Sequence, residues 1–332
     1  MKNYIIGVDI GGTKSHLALF DTEGNFIDLG HWGCLNHEGL EGSFEQLDSE
    51  FGQFVNQTLL KHGITVDQIA QAALGVAGVD TKAQHGIVSQ IIKKHGIKNF
   101  TLANDAFLGI PAGSKTGAGI CAINGTGCTL AGINKEGKML QIGGVGVLSA
   151  DMGGGGYLGE RLLMAVYCEL FRKGEPTLLT QRVFEKLGIT SKYDYVEIMQ
   201  EKIYNGTFDI YKAGPLIFEA VHQNDKVAAN ILKEIAESYS NGITCMIEEL
   251  EFPKNEELHI VLAGSVFVKG EHPLLVNSLK ENVTAKNPGY NLTYNLLNVP
   301  NVAGAVLWAF ISHHGKSGSD YYDKICTQLK AN

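Results

Sequence analysis

The chain has 332 residues, 44% of them hydrophobic, and sets 27 Lys and Arg against 35 Asp and Glu for a net charge of −8. That length suffices for two cored lobes. The acidic balance, without a basic stripe or a long like-charge block, argues against nucleic acid as the main partner. No apolar run approaches the roughly 18 residues of a membrane span, and Met1 leads into a strand by Tyr4 without room for a signal peptide, so the expected compartment is the cytoplasm. The six cysteines (Cys34, Cys121, Cys128, Cys168, Cys245, Cys326) contain no C-x-x-C, which predicts buried thiols rather than a zinc knuckle or a disulfide framework.

The first element is a strand entering Gly7-Val8-Asp9-Ile10-Gly11-Gly12-Thr13-Lys14-Ser15, and His16 to Phe20 leaves as a second strand. A P-loop would read G-x-x-x-x-G-K-[ST] and open a helix; Thr13 between Gly12 and Lys14 breaks that spacing. Glycine nevertheless lets a polyanion approach the main chain, Thr13 offers a hydroxyl, and Asp9 is a natural partner for a phosphate-bound Mg²⁺. A plain hairpin with a structural Asp accounts for the same residues. The turn Asp21 to Asn25 ends the second strand and continues the hairpins.

Phe44, Leu47, Phe51, Phe54, Val55 and Leu59 recur at helical spacing over 41–62, with Gly63 as the stop. Residues 72–79 read as a buried strand ending in a glycine turn, and 82–95 as a helix stopped by Gly96. Phe100 to Ala103 is the next strand. It delivers Asn104-Asp105 where a helix over 105–114 begins, and open α/β sheets build their sites at such strand ends. From residue 116 the pattern restarts: strands 118–123 and 128–133 flank Asn124-Gly125-Thr126-Gly127, and Asn134 to Lys138 makes another turn. Residues 157–250 are mostly helical, clearest from Asp225 to Leu250. The strand 258–263 runs into Gly264-Ser265, a helical stretch ends near Lys286, and two helices, 301–313 and 319–330, close the chain. Hairpin, βα, βα, then hairpin again with a helical insert amounts to a weak internal duplication.

In this order the motifs resemble the actin/hexokinase/Hsp70 ATPase superfamily, and within it the BadF/BadG family of sugar kinases and ATPases. The matching pieces are Asp9 to Lys14, Asn36-His37, Gly75-Val76-Ala77-Gly78, Asn104-Asp105-Ala106, Asn124 to Gly127, Gly143-Gly144 with Asp151, Ala263-Gly264-Ser265 and Gly304-Ala305-Val306. The resemblance implies an α/β fold of two RNase H-like lobes, 1–115 and 116–314, with an interlobe cleft, a helical insertion in the second lobe and a C-terminal helix, 315–332, packed back on the first. It implies ATP and Mg²⁺ in the cleft, with Gly11, Gly12, Thr13 and Lys14 facing Gly125, Thr126 and Gly127 across the phosphates and Gly264-Ser265 near the adenosine. Phosphoryl transfer suits this plan because it is mostly positioning and charge neutralisation.

The resemblance and its strand-end position make Asp105 the candidate catalytic base, taking a proton from a sugar hydroxyl; capping the next helix is the structural alternative, and one residue can do both. Asn36, His37, Asn104 and Asp151 match sugar-binding positions, although for His37 a plain loop residue is the favoured reading. Family kinases usually read Gly-Asp-Glu-Gly-Ser where this chain has Ala150-Asp151-Met152-Gly153-Gly154, and Val145 stands where Trp is common. The expected activity is therefore transfer of the ATP γ-phosphate to an amino sugar such as N-acetylglucosamine, with the sugar side altered. An activator ATPase for a dehydratase or reductase and a non-catalytic sugar or nucleotide sensor are the alternatives. The family commonly forms homodimers.

Overall fold

The computed structural model describes residues 3–331. The first sheet contains β1 (Tyr4–Ile10), β2 (Ser15–Asp21), β3 (Phe26–Trp32), β4 (Ile69–Val76) and β5 (Phe100–Ala103), in the order β3-β2-β1-β4-β5. β1–β2–β3 form antiparallel hairpins, whereas β4 and β5 join in parallel through the crossover helices α1 (Ser43–Leu60) and α2 (Lys82–Lys94). Strand alternation divides the sheet's faces. Ile6, Val8 and Ile10 pack with Phe51, Phe54, Val88 and Ile92 of the two helices, while Ile5, Ala18 and Phe20 turn to the opposite side. Thr81 starts α2 with a reciprocal capping box to Gln84, whose carbonyl also accepts from the Asp80 N–H.

After β5 the chain makes a 3₁₀ turn, Asp105–Leu108, and the short α3 (Gly109–Gly113). These residues sit between the two halves: Ala106, Phe107 and Ile110 pack with Cys121, Ala131 and Val261 of the second sheet. That sheet contains β6 (Gly119–Asn124), β7 (Cys128–Ile133), β8 (Met139–Gly143), β9 (Glu257–Ala263) and β10 (Asn291–Leu296), in the order β10-β9-β6-β7-β8. Its pairing repeats the first sheet strand for strand, so the duplication suggested by the motif order is real at the level of topology. Between β8 and β9 lie α4 (Gly154–Phe171), α5 (Leu178–Leu187), α6 (Tyr195–Tyr204), α7 (Gly214–His222) and α8 (Lys226–Glu249). Asp225 binds two of them together: it caps α8 through the Ala228 N–H and also accepts from Leu178 N–H and Thr177 Oγ1. The short α9 (Ser265–Val268) follows β9, and α10 (Leu274–Lys286) leads to β10.

α11 (Asn301–His314), grouped with the second half on sequence order, lies against the first sheet together with α12 (Tyr322–Ala331). Val302, Val306 and Phe310 of α11 and Ile325 and Leu329 of α12 cover Ile5, Ala18 and Phe20. Close approach is possible because glycines stand at two separate contacts of α11, Gly7 of β1 against Val306 and Gly304 against Leu108. A Cβ on Gly7 would lie 2.3 Å from the Val306 nitrogen, and one on Gly304 1.9 Å from the Leu108 carbonyl oxygen. Backbone atoms on both sides cannot yield cheaply, so Gly304→Ala is expected to destabilise the protein by at least about 3 kcal/mol, the upper end of overpacking costs. Chemical denaturation against the parent protein measures it; a change under about 0.5 kcal/mol would show that α11 can shift.

Candidate active site

Acidic and amide side chains gather at the C-terminal ends of the parallel strands. In the first sheet Asp9 pairs beside Gly75, and Gly75 beside Ala103, so Asp9 and Asn104-Asp105 share one edge. Asn104 is buried and makes the capping bond itself, its Oδ1 accepting from the Ala106 N–H at 2.9 Å, so the cap that Asp105 could have made belongs to its neighbour. Burial first, then the negative charges of Asp9 and Asp80, push the Asp105 carboxyl from the usual 3.8 up to about 7. The backbone N–H groups of Asp105 and Ala106 offset only part of this. A carboxyl poised there takes a proton readily near neutral pH, as a general base must.

Asp80, which the motif reading passed over, occupies the centre of the group. Its Oδ1 accepts from Asn104 Nδ2 at 2.9 Å and from Gln141 Nε2 at 2.6 Å, and Gln141 comes from β8 of the other sheet. The sequence signal was available in the Gly78-Val79-Asp80-Thr81 run that leaves β4 and caps α2. Asn36 and His37 belong to the same neighbourhood, because a Cβ on Gly78 would lie 2.6 Å from Asn36 Oδ1 and 2.9 Å from His37 Cε1. His37 lies in a turn, as expected of a loop residue, but it is buried, stacks on Phe44 with ring centroids 4.0 Å apart, and burial lowers its pKa from 6.5. Asp151 turns into its own loop, where Oδ2 accepts from the Gly144 and Gly146 N–H groups at 3.0 and 2.7 Å and Oδ1 from Ser149 Oγ at 2.7 Å. It thereby shapes the segment 144–149, and Gly144 abuts the Gln141 amide.

In the second sheet Ile123 pairs beside Ala263, which sets the Asn124 to Gly127 turn against Gly264-Ser265. A Cβ on Gly125 would stand 3.7 Å from Gly264 Cα and 3.8 Å from the Ser265 nitrogen. The N-terminus of α4 docks on the turn, with Gly154 N–H donating to Asn124 Oδ1 at 2.7 Å and Gly155 N–H to the Gly125 carbonyl at 2.8 Å. The glycine run follows from that contact: Gly154 has φ +79°, and a Cβ there would be 2.5 Å from the Thr126 carbonyl oxygen. Thr126, Gly127 and Ser265 are exposed, as are Gly12, Thr13 and Lys14 of the first turn, so each turn is open to a ligand. The positive end of α4 adds to the attraction of the second turn for phosphate. Beside it opens a cavity of about 370 Å³ lined by Gly125, Gly155, Tyr211, Phe218, Ser265 and Lys269 among others. Tyr211 and Phe218 lie in the helical insertion, where no motif pointed to them. An apolar cleft with a few polar groups next to a phosphate turn suits a nucleoside.

The profile of the BadF/BadG/BcrA/BcrD ATPase family matches residues 6–309. The chain belongs to this family. Its similar relatives include the N-acetyl-D-glucosamine kinase of Dictyostelium discoideum, 28% identical over 271 residues that cover 79% of this chain and 85% of that one. Another is the N-acetylmuramic acid/N-acetylglucosamine kinase of Clostridium acetobutylicum, 25% identical with 79% and 85% covered. Among solved structures, a provisionally named N-acetylglucosamine kinase from Chromobacterium violaceum superposes with a TM-score of 0.64 at 20% identity, over 92% of this chain and 98% of that one. The two-lobed actin/hexokinase-type fold of the BadF/BadG/BcrA/BcrD ATPases is therefore that of this protein. The packing of the α4 N-terminus gives a physical reason for the glycines at 154 and 155, since side chains there would collide with the Thr126–Gly127 backbone and with the Tyr211 carbonyl.

Proposed function

We propose that this ATPase-family protein is an ATP-dependent kinase of an amino sugar such as N-acetylglucosamine, acting on the 6-hydroxyl. The observation that carries the reading is a carboxyl, Asp105, raised to about 7 at a strand end, within one amide-linked group that includes Asn104 and Asp80 and borders Asn36 and His37. The sugar hydroxyl gives its proton to Asp105 as its oxygen bonds to the γ-phosphorus, and the bond from that phosphorus to the bridging oxygen breaks to release ADP. Asn36, His37 and Asn104 orient the sugar, and Asp151 acts on it through the segment 144–149 that it shapes. Gly11 to Lys14 and Gly125 to Gly127 hold the phosphates, with Gly264-Ser265 and the 370 Å³ cavity at the adenosine.

Mg²⁺ fits Asp9, a half-buried carboxylate at the end of β1 whose Oδ2 lies 3.8 Å from His16 Nδ1. Among the described residues no three His, Cys, Asp or Glu side chains form a metal site of their own, and Mg²⁺ in such enzymes needs only one or two carboxylates besides substrate phosphates. Bound there, Mg²⁺ would supply charge neutralisation for the substrate phosphates. The thiols of Cys121 and Cys128 are pushed up to about 12 by burial, so neither is a ready nucleophile. We further place the lobe boundary near residue 115, the protein in the cytoplasm where ATP is abundant, and its assembly as a homodimer. The exposed apolar side chains Met164, Tyr167, Phe171, Val196 and Ile203 on α4 and α6 support the last point.

ADP release in Mg-ATP is expected to depend on sugar in a panel of N-acetylglucosamine, N-acetylmuramic acid, glucosamine, N-acetylmannosamine and glucose. Turnover of equal rate with and without every sugar would sink the kinase reading and turn attention to a protein partner.

A further inference from the structure

Asp80 belongs to neither phosphate turn, yet one of its oxygens joins the two halves of the molecule. Oδ1 accepts from Asn104 Nδ2, at the end of β5, and from Gln141 Nε2, on β8 of the second sheet. Asp80 is itself held in place, since its N–H donates to Gln84 Oε1 within the box that caps α2. Asn104 is buried, and its other amide atom starts the turn on which Asp105 rides. The path from the Gln141 side chain to the candidate base therefore runs by direct hydrogen bonds through two side chains, Asp80 and Asn104.

We propose that Asp80 is a positioning residue that couples closure of the cleft to the placement of Asp105, with Gln141 as the part of the second lobe that it senses. This rests on the kinase reading of Asp105. With the cleft closed, two amide N–H groups share the Asp80 oxygen, and bonds to a charged acceptor are about twice as strong as neutral ones. With the cleft open, Gln141 withdraws, and Asn104 becomes the sole side-chain donor of the pair to that oxygen. Asp105 is then held less firmly, so a lone ATP in an open cleft meets a poorly placed base. The arrangement limits hydrolysis by water and rewards the closed, sugar-bound form.

The test is an amide–carboxylate exchange. Gln141→Glu sets a second carboxylate against Asp80 and opposes closure. In the double variant Asp80→Asn/Gln141→Glu the amide introduced at 80 can donate to the carboxylate introduced at 141 while its oxygen still accepts from Asn104. Gln141→Glu is expected to lower kcat by about tenfold or more with the KM for ATP little changed, the double variant to recover most of that loss, and Gln141→Ala to fall between. Small-angle scattering of the same ligand-free proteins should show a larger radius of gyration for Gln141→Glu and a return in the double variant. Parent protein without sugar-dependent turnover defeats the kinase reading alone, and scattering then decides whether Asp80 joins the lobes. Unchanged kcat and radius in Gln141→Glu, or a double variant no better than the single one, overturns the proposal.

Discussion

Asp105→Asn is expected to reduce sugar-dependent turnover by about 10²–10⁴-fold, the usual worth of a general base, and at the same time to make the protein more stable above pH 7. The two effects have one cause. Burial and the charges of Asp9 and Asp80 hold the folded-state pKa of Asp105 at about 7, against 3.8 for a free carboxyl. A carboxyl whose pKa is raised on folding binds its proton more tightly in the native state. Its contribution to stability is therefore full below about pH 4, declines as pH rises, and has become a penalty once pH passes 7. At 1.4 kcal/mol per pH unit that penalty is on the order of 4 kcal/mol. Asn cannot ionise, so the variant escapes it. Thermal melts in EDTA without nucleotide, at pH 5 and pH 8, should show parent and variant converging in acid and the variant melting higher at pH 8. The kcat/KM of the parent should rise through about pH 7 as the base ionises. A variant with near-parental turnover would remove Asp105 from the reaction, and equal melting at pH 8 would mean that its carboxyl is not strained.

Gly125→Val is expected to weaken ATP binding by at least about tenfold, with the fold retained. The position differs from Gly304 in what surrounds it. A Cβ at 125 would meet Gly264 Cα and the Ser265 nitrogen at 3.7 and 3.8 Å, which is ordinary contact, and its φ is not in the left-handed region. The added methyl groups then extend over the exposed face of the turn, where the phosphate oxygens must come within hydrogen-bond distance of backbone N–H groups. Losing one or two charge-assisted bonds of roughly 1.5–3 kcal/mol each corresponds to tenfold or more. Calorimetric titration with ATP and a parallel denaturation curve separate the two effects. Parental affinity in a folded variant would take the Asn124 to Gly127 turn out of the phosphate site.

The strands that carry the site were readable because each ends in residues with few structural uses: Asp9 before two glycines, Asn104-Asp105 after a four-residue strand, Gly125 to Gly127 between two apolar runs. The helix over 41–62 was equally plain, since its apolar residues recur at one period and Leu47, Phe51, Phe54, Val55 and Leu59 are buried in the structure. β10 was not seen. Its side chains alternate, Leu292, Tyr294 and Leu296 against Asn291, Thr293 and Asn295, but at an edge with little buried surface the pattern looks like loop. Asp80 and Gln141 were missed for another reason. They are 61 residues apart, and although the Gly78 to Thr81 run marked Asp80, only pairing in space ties it to Gln141. Tyr211 and Phe218 were hidden likewise, because a cavity wall assembled from helices of an insertion has no local motif.

The return of α11 and α12 to the first sheet has a bearing on how the protein is made. Ile5, Ala18 and Phe20 emerge from the ribosome first, but the side chains that cover them, from Val302 to Leu329, emerge last. The amino-terminal half can hide one face of its sheet with its own helices and must wait for nearly the whole chain before it can hide the other. The half made second contains most of its own packing partners, from Ile120 to Val283, and so has the means to fold before its elder.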